Sequence, residues 1–164
     1  MMQKEVAQLQ LVLQQLIAEH EKLLAHLTTQ QTAMKKLDLP AIDQLTGLQD
    51  AGRMRISALD KKRKTLVDQL AAMLKLQGPT TLSRLADSLP QHKQALLTLR
   101  EQLKAKVTEI ATRSTVAGRV AGALLGHLNT VVRLLAGAVE QAGIYTKQGT
   151  PQVSARIGVI EAVG

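Results

Sequence analysis

The stretch Val6–Leu37, VAQLQLVLQQLIAEHEKLLAHLTTQQTAMKKL, followed by Asp38-Leu39-Pro40, decides the fold. Alternating steps of three and four residues from Val6 meet Leu9, Leu13, Leu16, His20, Leu23, Leu27, Gln30, Met34 and Leu37. All of these except His20 and Gln30 are apolar. At 3.6 residues per turn, that spacing draws one apolar seam along a helix, and Ile17 and Leu24 widen it. Asp38 can cap a new helix and Pro40 cannot extend the old hydrogen-bond ladder, so the first helix is expected over 4–37.

A second seam starts at once: Ile42, Leu45, Gln49, Gly52, Ile56, Leu59, Arg63, Leu66, Leu70, Met73. Gly47 and Gly52 weaken its first half, each by about 1 kcal/mol relative to Ala. Gly78-Pro79 is expected to close a helix over 41–76. A connection as short as 38–40 joins antiparallel helices or kinks one helix. The hairpin is preferred, because only it buries both seams within one chain.

Thr80 or Thr81 then caps a short helix near 81–88 carrying Leu82, Leu85 and Leu89, and Pro90 ends it. A last helix over 91–140 carries Leu96, Leu99, Leu103, Val107 and Ile110, then Val120, Leu124, Leu128, Val131 and Leu135. Its composition changes at Arg113, from Leu, Lys, Gln and Glu to Ala, Gly and Val. Gly118, Gly122 and Gly126 recur at every fourth residue; on one face they allow close backbone approach, and they mark a tight packing groove or a helix of marginal stability, or a groove ordered or filled by a partner. The fold class predicted is all-α: an elongated antiparallel bundle of three long helices with a short connecting helix and no sheet. Residues 1–143 form the bundle and 144–164 an irregular tail, in which 153–163 fits a helix and a strand equally well.

Composition agrees. The 164 residues include 28 Leu, 21 Ala and 17 Gln against one Tyr and no Phe or Trp, so the core must be aliphatic. The absence of Cys removes thiolate chemistry, disulfides and most zinc sites. His20, His26, His92 and His127 form no ligand-like motif, and no phosphate loop or nucleophile elbow occurs. No enzyme activity, metal or cofactor is expected. His20 lies on the first seam and reads as a polar break that limits register. The first 20 residues lack a secretory pattern, and the uncharged run Val120–Val132 is shorter than the ~20 residues of a spanning helix. A cytoplasmic location without a membrane span is therefore expected.

Net charge is +8, concentrated in Arg53, Arg55, Lys61, Lys62, Arg63 and Lys64 with Asp60 among them. Asp60 and Asp68 each stand four residues from Lys64, the spacing of ion pairs on a helix, so a solvated face is preferred to a partner site. A nucleic-acid binder would need base-stacking aromatics or a basic recognition helix, and no nucleic-acid partner is expected. A structural coiled coil would keep its heptads past Arg113. The preferred reading is an interaction bundle whose regular hairpin supports an apolar C-terminal arm, with a structural coiled coil or a basic nucleic-acid-binding helical protein as the alternative.

Several local marks agree with that reading: Leu13-x-x-Leu16 with Glu19-x-x-x-Leu23-Leu24; Asp38-Leu39-x-x-Ile42-x-x-Leu45, Arg53 and Leu59-x-x-x-Arg63-x-x-Leu66; and Ile144-Tyr145-Thr146-Lys147-Gln148-Gly149. In order, spacing and total length the chain resembles the FlgN-type flagellar export chaperones. The resemblance implies a cytosolic chaperone that binds hook-associated (hook–filament junction) proteins and prevents their premature assembly. It also implies delivery of these clients to the flagellar type III export gate. Client binding would lie toward the C-terminus, where Val120, Leu124, Leu128, Val131 and Leu135 are the candidates, and Tyr145 would match the tyrosine that docks on the gate. The family's Asn followed by a Leu pair is replaced by Ala117-Gly118-Arg119-Val120, and the chain is more basic than such chaperones usually are.

Overall fold

The computed structural model describes residues 1–144, with side chains through 137. It contains four helices: α1 (Met2–Lys35), α2 (Leu39–Met73), α3 (Leu82–Asp87) and α4 (Lys93–Ile144). No strand occurs among the described residues. The all-α fold and all four helices match the sequence reading. The predicted tail, including Tyr145, lies outside the described residues. Packing divides the chain into one unit from Met1 to Val120 and another from Ala121 onward.

Within the first unit, cross-helix contacts fix the topology. Gln30 meets Gln49 and Thr46, and Glu19 meets Arg55, so residue numbers fall on α2 as they rise on α1; the two helices are antiparallel. The α4 partners rise together with α1: Lys106 pairs with Glu21 at 3.6 Å, and the Gln31 amide donates to the Arg113 carbonyl at 3.4 Å. α4 therefore runs parallel to α1 up to the level of the α1–α2 turn.

That turn is tighter than the expected boundaries. Leu37 adopts φ 55°, its N–H donates to Met34 O, and Asp38 N–H donates to Ala33 O, which satisfies the carbonyls left over at the end of α1. Asp38 then accepts from Ala41 N–H at 3.1 Å as the N-cap of α2, with Pro40 in the first turn. α2 ends by the same device, several residues before Gly78: Lys75 takes φ 55° and Leu76 N–H donates to Ala71 O. Of the two candidate caps for α3, Thr81 is the one used; it accepts from Arg84 N–H at 3.2 Å.

The main core lies where α1, α2, α3 and the start of α4 meet. Val6, Leu9, Val12, Leu13 and Leu16 pack there with Leu66, Val67, Leu70, Leu85, Ala86, Leu89 and Leu96. Each fully buried Leu stabilises by about 1.5–3 kcal/mol relative to exposure. Toward the α1–α2 turn the seam turns polar. Gln49 Nε2 donates to Gln30 Oε1 at 2.9 Å, and Gln30 Nε2 donates to Thr46 Oγ1 at 3.1 Å. Both glutamines are buried, so they satisfy one another across the helix pair. His20, also buried, bonds through Nδ1 to the Leu16 carbonyl of its own helix at 2.6 Å. It is thus a locally satisfied polar break on the seam, the role its position implied.

Candidate functional site

From Ala121 onward, α4 is built from residues that favour contact with something apolar. Of the predicted set, Leu128, Val131 and Leu135 are exposed, whereas Val120 and Leu124 are half-buried. At 100° per residue all five fall within an arc of about 80°. Leu125, Val132 and Leu134 are also exposed, Leu125 at 67% and Leu134 at 69%, and they broaden the surface to about half the helix circumference. The sequence already marks these three, together with Val116, as apolar residues outside the single stripe. No charged side chain interrupts the stripe, and His127, Asn129 and Arg133 lie off its centre.

A Cβ built on Gly118, Gly122 or Gly126 meets nothing within 4 Å, so among the described residues no other part of the chain packs closely on them. Their face lies about 150° from the centre of the apolar stripe and shares its side with Asn129 and Arg133. The glycine repeat thus lies on the side of the helix opposite the apolar stripe. By length and composition α4 is also apolar enough to cross a membrane, and that apolar window is unburied.

The basic stretch on α2 is largely occupied by ion pairs. Arg53 binds Asp50 at 2.9 Å, Arg55 reaches across to Glu19 on α1 at 2.8 Å, and Arg63 and Lys64 hold the two oxygens of Asp60 at 2.8 and 3.1 Å. The expected Asp60–Lys64 pair is present; Asp68 makes no ion pair among the described residues. Hydrogen bonds from Lys22 and Arg55 hold the Glu19 carboxyl below its ordinary range. For Asp60, burial pushes the carboxyl up, but the bonds from Arg63 and Lys64 outweigh it and leave the group lowered. Four of the six basic residues are thus paired, three of them within α2 and Arg55 across the hairpin. Among the described residues no three His, Asp or Glu side chains converge as a metal site would require.

A family model described as FlgN protein matches residues 1–152. Comparison with curated proteins and with solved structures gave no match.

Proposed function

The chain belongs to the FlgN family of flagellar chaperones, and from that premise we propose that it binds hook–filament junction proteins in the cytoplasm. It keeps them from assembling early and delivers them to the flagellar type III export gate. The observation that carries the reading is the exposed apolar half of α4, with Leu128, Val131 and Leu135 at its centre and Leu125, Val132 and Leu134 beside them. Val120 and Leu124 extend the same stripe toward the first unit. An amphipathic client helix laid along this face would remove the surface from water, the common way in which helical partners recognise one another.

The same apolar content is read here as a protein contact and not as a membrane span. Asn129 and Arg133 share one side of the helix with the glycines, so the segment has a polar back, and a helix with one polar face lies along a partner. Tyr145 is the residue proposed to touch the export gate.

The test is a binding titration with purified junction protein. Leu128→Asp combined with Leu135→Asp places two carboxylates on the stripe and should weaken client binding by at least about tenfold, because buried unpaired charge is costly. Tyr145→Ala should leave that affinity unchanged and reduce secretion of the client. Wild-type affinity in the double Asp variant would move the client site elsewhere.

A further inference from the structure

A second surface lies wholly within the first unit. Side chains of α2 and α4 line a groove of about 360 Å3 with Leu13 of α1 and Leu82 of α3. Leu103 and Val107 of the α4 seam line it together with Asp60 and Arg63 of α2. Val107 is 48% exposed.

Its rim is cationic. Arg63, Arg100 and Lys104 line it, with Asp60 as the one carboxylate. Asp60 is already neutralised, since Arg63 and Lys64 hold its two oxygens. Arg100 pairs with the neighbouring Glu101, and Lys104 makes no ion pair among the described residues. An apolar floor beneath surplus positive charge selects an occupant with apolar and acidic groups on adjacent faces.

We propose that the groove over Leu103 and Val107 docks an acidic amphipathic helix of a partner protein. Leu-type side chains at three- and four-residue spacing would fill the floor, and flanking carboxylates would meet Lys104, Arg100 and Arg63. A second copy of this chain fits poorly, because each copy carries a net charge of +8. Single-stranded nucleic acid would match the charge, but the floor offers no aromatic ring on which a base could stack. The groove shares no residue with the client stripe.

The probe is a synthetic amphipathic helix with Leu at three- and four-residue spacing and Glu on both flanks. It is titrated into the isotope-labelled full chain and followed by NMR. Shifts should centre on Leu82, Leu103, Lys104, Val107 and Thr108, and affinity should fall with added salt. Lys104→Glu and Val107→Asp, both at exposed positions, should keep the helical circular dichroism and each lower affinity about tenfold. The Leu128→Asp, Leu135→Asp double variant should bind the peptide normally, which separates this site from the client surface. The proposal is overturned if the Glu peptide does not bind, if either groove variant binds it as wild type does, or if the client-stripe variant loses it. It is also overturned if a Lys-for-Glu peptide or a single-stranded oligonucleotide binds these residues as tightly.

Discussion

Replacing Gly118, Gly122 and Gly126 together by Ala should strengthen α4 without harming client binding. Each glycine sits in a helix with nothing within 4 Å of a built Cβ, so the added methyl meets no neighbour. Removing the backbone freedom of Gly in a helix interior stabilises by about 1 kcal/mol per site. That is roughly a fivefold shift in the local helix–coil equilibrium for one residue and on the order of a hundredfold for three. Amide hydrogen exchange reads the shift directly: protection across 118–137 should rise toward that factor if these residues open locally. Because the glycine face lies on the back of the apolar stripe, client affinity should stay the same or increase, since less ordering remains to be done on binding. Unchanged protection would refute the local-helicity argument. A loss of client affinity by more than about tenfold would show that the client approaches the backbone through the glycines, and would refute the assignment of faces.

Two further predictions concern the hairpin. Gln49→Leu removes the donor to Gln30 Oε1 and should cost about 1–3 kcal/mol in urea denaturation, whereas Gln30→Leu with Gln49→Leu, which removes both partners, should recover most of that loss. Arg55→Ala should destabilise by about 0.5–1 kcal/mol at pH 7, because the pair with Glu19 is partly exposed. The Glu19 carboxyl is lowered in the folded protein, so the stabilisation of its charged form is complete above the ordinary Glu range near about pH 4.3. It disappears as pH falls through the lower folded value, and the difference between wild type and Arg55→Ala should vanish there.

The helices were legible because their signals are redundant. Seam, cap and proline agree around Asp38, and Leu85 and Leu89 sit between a usable Thr cap and Pro90. Helix ends were less legible. Leu37 and Lys75 close α1 and α2 in the left-handed region, where Gly is the usual choice and other residues are disfavoured by about 1–2 kcal/mol. Nothing in their side chains announces that conformation. The α2–α4 groove was hidden for a different reason. Arg63 was visible as a polar position on the second seam, but only the folded chain shows that it lines the same groove as Leu103 and Val107 of α4. The glycine repeat shows a face of the helix, but small residues at four-residue spacing do not say what stands opposite it.

Asp38 belongs to two motifs at once, as the residue whose N–H closes α1 and whose carboxylate opens α2. The hairpin is therefore encoded in a continuous run of chain that ends before α4 begins. On a ribosome, α1 and α2 can pair as soon as the second of them has emerged, using contacts that need only a short turn to be closed. α4 then arrives at an existing two-helix template, with Leu96 entering a core that Leu9, Leu13 and Leu70 have already begun. The order of synthesis thus makes the apolar stripe after the hairpin, so the part of the chain with most to gain from a partner emerges when the first unit can already be folded.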